Sequence, residues 1–366
     1  MHTTEAYKNR LSRRPHIDIT PGEDRRERVN RMLDDFFAGK ADTASFRECY
    51  VRITGDKDVT GRLRDCNQFI LRESLGSTEL ANTLGDAVNR SMVADYRNED
   101  QYDVWRAIAA VDRFDNFRTV RRTRIGGYGD LETVAKGQAY PALISPADEE
   151  VTYAPFKKGG TESITLENIK NDDAGVIRAV PKKLSKTAKR TLAKFVLDFI
   201  RTNALIYDGV PLFDAAHGNL GSAALSAAAV AAGRTAMRQQ TEPGSNDELP
   251  ISPRTLLVPF DQEETGSNIF RRNTNNDKTF VQNMSLDVLA VWYWTDVNDW
   301  AMAADPKDLA SIEIAFLDGN EEPELFVNDA PNSGSMFSHD QMAWKIRHIY
   351  GGAVLNYRGL YKSVVT

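Results

Sequence analysis

Cysteine is almost missing from this chain: Cys49 and Cys66 are the only two in 366 residues. Two thiols cannot build a disulfide framework, and no His/Cys cluster lies near them, so free thiols in a reducing cytoplasm are expected. Histidine is equally sparse. Five residues are scattered along the chain, without HExxH or CxxC, so a zinc site has no ligand set. No GxSxG elbow is present, which removes the usual nucleophile of a hydrolase. No apolar run approaches the ~18 residues of a membrane span. The start, from His2 to Arg14, is polar throughout and is no signal peptide. An excess of positive charge is also lacking: the net charge is −6 and the pI about 5.6. That excludes gripping nucleic acid as the main task. It does not exclude a wall around DNA, which should not bind its contents tightly.

What is present is ordinary in amount. Hydrophobic residues make up 41% and charged residues 27%, as in soluble globular proteins. The length allows two or three domains with ample core. The chain is organised around residues 171–219. Asn171 and Asp172 suit a helix start, and Asp173 places negative charge near the positive end of the dipole. Leu184, Ala188, Leu192, Phe195, Val196, Phe199 and Ile200 follow at steps of three and four and define one apolar face. Lys182, Lys183, Lys186, Lys189, Arg190 and Lys194 define the opposite face. Pro181 predicts a kink, or a short helix before a longer one. From Pro181 to Ala204 the rod is about 36 Å long. Asp208-Gly209 closes it with a turn.

Before this helix the chain is less regular. In 1–74, Val29, Met32, Leu33, Phe36 and Phe37 form a short amphipathic helix ended by Gly39, read as part of a solvated arm that packs only on neighbours. Residues 44–61 alternate like a strand. Residues 75–117 read as helix, with Leu80, Leu84, Val88, Met92 and Tyr96 at steps of four, and Trp105 as core or interface packing. Residues 118–170 read as a long two-stranded excursion with little to bury, broken at Gly126-Gly127-Tyr128-Gly129 and Gly159-Gly160. Two strands alone are marginal in water, so this hairpin needs a partner surface. Arg118, Arg121, Arg122 and Arg124 read as an intersubunit ion-pair surface, matched by Asp148-Glu149-Glu150.

After the helix come an Ala-rich helix (222–240), a Pro/Gly/Ser loop, the buried strand RTLLVPF and a helix at DQEETGSNIFRR. Trp292, Tyr293, Trp294 and Trp300 crowd together as core or subunit seam rather than a ligand cage. SIEIAFLDG, PELFV and the C-terminal stretch read as strands returning under the long helix.

The chemical candidates are weak. GGYGD lacks GxxxxGK[ST] and follows no apolar strand. Asn171-Asp172-Asp173 does not converge on a cation. His217-Gly218-Asn219 offers a base beside an amide, but His217 reads better as a hydrogen bonder that fixes its loop. No catalytic, cofactor-binding or metal residues are assigned, no cofactor is expected, and the chain is not expected to be an enzyme.

The order NDDAG, basic amphipathic helix, YDGVPLFDAAHGNLG, Ala-rich helix, SPRTLLVP and finally KIRHIYGGAVLNYRGLYK resembles the Mu-like major head (capsid) subunits of tailed phages. It is similar above all to the capsid part of prohead protease/major capsid fusion proteins, from residue 75 to the C-terminus. No single motif is diagnostic; the order and spacing together are. The resemblance implies an α+β HK97-type phage capsid fold. Its parts would be an N-terminal arm region (1–74), a helical segment of the peripheral domain (75–117) and an extended E-loop hairpin (118–170). A spine helix with peripheral domain (171–221), an axial domain (222–311) and C-terminal strands (312–366) would follow. It implies self-assembly into hexamers and pentamers of an icosahedral shell around double-stranded DNA, with intersubunit E-loop and arm contacts. Portal, scaffold or prohead protease and decoration proteins are the implied partners. Packaged DNA would be met only by weak non-specific contact, with no membrane. The implied location is the virion, assembled in the bacterial host cytoplasm. An encapsulin-like compartment of the same fold is the alternative, and a hydrolase a second. A cargo shell begins near its fold, whereas this chain carries about 100 residues ahead of the hairpin.

Overall fold

The computed structural model describes residues 25–40, 78–98, 100–143, 147–165, 179–271, 284, 286–328, 338–339 and 341–365. In chain order the elements are α1 (Arg25–Phe37), α2 (Thr78–Asn98), β1 (Ala109–Phe114), β2 (Val120–Ile125), β3 (Asp148–Tyr153) and β4 (Phe156–Thr165). There follow α3 (Ala179–Thr202), β5 (Leu220–Gly221), α4 (Ala227–Arg238), β6 (Pro253–Pro259), α5 (Glu263–Phe270) and β7 (Asp287–Val291). The last are β8 (Trp300–Ala304), β9 (Ile312–Leu317), β10 (Glu324–Asn328), β11 (Gln341–Val354) and β12 (Leu360–Ser363). They fall into two compact units. One takes Met1–Asp100, Lys157–Arg190 and Glu322–His348; the other takes Gln101–Phe156, Thr191–Glu321 and Ile349–Thr366.

In the first unit α1 buries Val29, Leu33, Phe36 and Phe37 against Ala87, Val88 and Met92 of α2, with Leu325 of β10 and Trp344 of β11 completing the core. Gly39 adopts φ +72°, a left-handed residue that stops α1. Arg90 fastens the two helices, donating to Asp34 at 2.9 Å. The reading of this helix as an arm that packs only on neighbours is therefore corrected: its apolar stripe finds a partner in its own chain. β10 pairs antiparallel with the start of β11. The expected strand at 44–61, the two cysteines and the Asn171-Asp172-Asp173 cap lie outside the described residues.

Helix α3 runs unbroken for 24 residues, about 36 Å at 1.5 Å per residue. Pro181 causes no break, because it sits in the first turn, where backbone N–H groups have no intrahelical partner anyway. The expected face is right in outline and wrong at one position. Lys189 is only 3% exposed and holds its ammonium 5.0 Å from the centre of the Tyr96 ring. Its long stem lets it lie along an apolar surface while an aromatic face receives the charge.

In the second unit the continuation of α3 buries Leu192, Ala193, Val196, Leu197 and Ile200 on a sheet that supplies Ile312, Ile314, Phe316 and Tyr350. Phe195 touches Phe156, Phe199 and Tyr350 with ring centroids 5.1 to 5.3 Å apart. The strands expected to return under the long helix do so. Residues 75–117 are not one helix: α2 ends at Asn98, a 3-10 turn spans Asp100–Ala107, and β1 pairs parallel with β9. Six residues are too few for periodicity to separate the two states, and the free hydrogen-bonding edge of β9 decides it. A second sheet, ordered β5-β12-β8-β6-β7, packs Leu256, Val258, Trp300 and Met302 against Val230 and Met237 of α4. Trp300 is fully buried and donates its indole N–H to Ala223 O, a core role.

Candidate assembly surface

The excursion after β1 is built from β2 and β3, paired antiparallel from Val120↔Tyr153 to Ile125↔Asp148. Its two paired strands span residues 120–125 and 148–153. Strand β4 leaves it and pairs with β11, and Gly159 is the point of closest approach, since a Cβ there would lie 2.4 Å from Ile346 O.

The pleat gives the hairpin two faces. Val120, Arg122 and Arg124 alternate with Glu149, Val151 and Tyr153 on the face turned to the unit's core. Val151 and Tyr153 are buried among Phe114, Ala315 and Ile349. The arginines beside them meet carboxylates of their own chain. Arg122 Nε donates to Glu313 Oε1 at 2.7 Å, and a second nitrogen pairs with Asp112. The Tyr153 hydroxyl donates to the same Glu313 oxygen at 2.5 Å. Burial pushes the Tyr153 hydroxyl far above the ordinary tyrosine range, and Glu313 adds to it. Burial opposes the charge of Arg122, but Glu313 outweighs it and the pKa is raised. Arg124 lies 3.6 Å from Glu149 and 3.4 Å from Glu242, and Arg121 3.8 Å from Glu150. Arg122 and Arg124 thus have carboxylate partners within their own chain, which the sequence reading did not foresee, while Arg121 remains mostly exposed. The cross-strand Glu149, with Glu242, faces Arg124, and the buried Glu313 faces Arg122.

Glu149 is also the anchor of the hairpin. Arg358, 5% exposed, donates to both its oxygens at 3.0 Å and to Thr241 O at 2.8 Å. Beyond the strands, Gly126 passes against residue 243, where a Cβ would come within 2.1 Å of Pro243 O. From there the chain carries Tyr128, Leu131, Tyr140 and Leu143 at 54%, 81%, 87% and 47% exposure. The paired strands thus present a loop whose large apolar groups stand half to mostly exposed among the described residues, which is how an interaction surface reads.

His217 sits apart from this surface and is buried. Its Nδ1 is 3.1 Å from Leu212 O, its Nε2 is 2.7 Å from Asp208 Oδ2, and its ring stacks on Tyr357 at 3.8 Å. Asn219 donates to Leu212 O at 2.8 Å and accepts from Asp214 N. Both residues spend these polar atoms in holding the 203–219 loop. Among the described residues no three His, Cys, Asp or Glu side chains cluster as a metal site, and no helix is long and apolar enough to cross a membrane.

Among solved structures, one titled Microbacterium phage Oxtober96 is similar, with 10% identity over 72% of this chain and 90% of that chain and a TM-score of 0.50. Another, the capsid of an empty GTA particle, shares 9% identity over 72% and 90%, with a TM-score of 0.49. At these identities the first establishes the fold alone: α+β, of the HK97 type. No curated protein matches significantly. The family model described as phage capsid protein matches residues 148–363, more than half of the sequence. The chain belongs to that family, whose members are structural subunits of the phage shell and not enzymes. An encapsulin-like compartment is correspondingly disfavoured.

Proposed function

We propose that this subunit is the major head protein of a tailed phage or prophage of the Mu-like kind, akin to the capsid part of prohead protease fusions. It forms hexamers and pentamers of an icosahedral shell around double-stranded DNA, assembled in the host cytoplasm. A scaffold or prohead protease, a portal and decoration proteins are its expected partners. The observation that carries the reading is the hairpin with its exposed apolar loop, within a family of shell proteins. Many weak contacts of this sort add through symmetry.

The parts are assigned on the same basis. Residues 1–74 are the arm region, of which α1 is a docked piece, and 75–117 open the peripheral domain. The E-loop begins at 118, and pairing of β4 with β11 favours ending it near 155 instead of 170. The spine helix and peripheral domain take 171–221, the axial domain 222–311, and the closing strands 312–366.

Negative-stain microscopy of the purified full chain, with size-exclusion chromatography, tests this reading. Rings of five or six subunits, or closed particles of virus size, are expected. A protein that stays monomeric at high concentration would refute it.

A further inference from the structure

The first half of α3 carries a surface that the assembly reading leaves unused. From Ala179 to Leu197 the helix holds six cationic side chains and no carboxylate; the first acid is Asp198. Lys189 turns inward onto Tyr96. Lys182, Lys183, Lys186, Thr187 and Arg190 are all exposed. Residues 182, 186 and 190 are four apart, so they form one row, with 183 beside it. Among the described residues Lys182, Lys183 and Arg190 have no acidic partner. This differs from the hairpin, where Arg122 and Arg124 lie against carboxylates of their own chain.

Three exposed cations, Lys182, Lys183 and Arg190, with no acidic partner among the described residues are unexpected in a chain whose net charge is −6. Two occupants compete for it. A second copy of the chain would need an apolar centre, and lysine is depleted in such interfaces. The row contains no exposed apolar residue. A polyanion needs only charge at a suitable density. From Lys182 to Arg190 the axial distance is about 12 Å, and double-stranded DNA presents one charge per ~1.7 Å of its axis. About seven phosphates therefore face a few cations, which gives contact without a strong grip.

We infer that the exposed row Lys182, Lys183 and Arg190 is the surface through which the subunit contacts the phosphate backbone of double-stranded DNA. This rests on the capsid reading and adds to it a site and a sequence-independent chemistry. The contact positions the polyanion and reads no bases. Each subunit contributes little, and the shell multiplies it. A net negative wall with a local cationic row touches its contents without trapping them.

The test measures binding of a short fluorescent duplex to the full-length subunit by anisotropy across a salt series. The triple variant Lys182→Ala, Lys183→Ala and Arg190→Ala is compared with Arg113→Ala, Arg238→Ala and Lys307→Ala, which removes the same charge from exposed positions elsewhere. Alanine keeps the helix. The slope of log Kobs against log salt should become shallower by about 2 to 3 in the first triple and stay unchanged in the second. Equal effects of both triples, no effect of either, or no duplex binding by the parent protein at low salt would each overturn the inference. Electron microscopy of the same proteins separates the two readings. A first triple that stops forming particles while its salt slope is unchanged makes the row a contact between copies and overturns the DNA assignment. Failure of the parent protein itself to assemble would instead sink the capsid reading.

Discussion

Arg358 holds Glu149 through two hydrogen bonds of 3.0 Å, joining residues that are 209 positions apart. The fork of the guanidinium matches the carboxylate, so direction is fixed as well as distance. One partner lies in β3 near the loop end of the paired strands, the other in the turn before β12. The hairpin therefore leaves its unit at an angle set by an ion pair and by the burial of Val151 and Tyr153, not by its own two strands.

Glu149→Ala leaves a buried guanidinium with only neutral acceptors, Thr241 O and Asn356 Oδ1. Breaking one side of a buried pair costs about 3–5 kcal/mol. Chemical denaturation of the subunit should show a loss of that order. A loss below about 1 kcal/mol would mean the pair behaves like a surface salt bridge.

On α3, neighbouring cations should behave differently. Lys189→Ala removes a buried stem and a charge over the Tyr96 ring, a loss of about 1–2 kcal/mol. Arg190→Ala, exposed, should stay within about 0.5 kcal/mol. Phe195→Asp sets a charge among Phe156, Phe199 and Tyr350 and should abolish soluble folded protein. Thermal melts rank the three, and Arg190→Ala melting below Lys189→Ala would reverse the face assignment.

These cases show what the sequence makes legible. The spine helix is readable because Leu192, Val196 and Ile200 repeat at its period, and the apolar run of β9 because almost every residue in it is apolar. Lys189 is not, because a lysine in a row of lysines carries no local sign that an aromatic ring waits opposite. Nor are the partners of Arg122 and Arg124, since Glu313 and Glu242 lie far away in sequence. One sign of them does exist: a lone Glu313 inside the strand IEIAFL must either face water or find a cation. The anchor Arg358 sits in an unremarkable NYRG turn, and only the fold brings Glu149 to it. The exposed loop was half visible, in the break at Gly126-Gly127-Tyr128-Gly129 and in the scarcity of apolar residues to bury.

Alkaline pH should destabilise the subunit through four tyrosines. Burial raises the hydroxyls of Tyr153, Tyr207, Tyr293 and Tyr350 well above the ordinary value of 10.0. The folded state holds these protons more tightly than the unfolded chain does. Their contribution is therefore complete below pH 10 and is lost progressively as pH climbs above it. Tyrosinate absorbance should show the exposed tyrosines titrating first and Tyr153, Tyr207, Tyr293 and Tyr350 ionising later, together with loss of circular dichroism. Smooth titration of all twelve tyrosines near pH 10 with the fold retained would contradict this.

The last expectation separates the root of the hairpin from its loop. Replacing residues 129–142 by a short Gly-Ser linker removes Leu131 and Tyr140, the most exposed apolar groups of the segment, and leaves both strands intact. Leu131 and Tyr140 are mostly exposed, so the subunit's own stability should change by less than about 0.5 kcal/mol. Extending the replacement through Gly160 would also delete Glu149, Val151 and Tyr153, and with them the Arg358 pair and a buried cluster. That longer variant should not fold. Circular dichroism and size-exclusion chromatography check folding, and electron microscopy checks particles. For the short replacement a folded subunit without stable shells is expected, because exposed apolar groups gain free energy only against another surface. Normal shells from it would remove the loop from assembly, and a folded long variant would show that the Arg358–Glu149 anchor is dispensable.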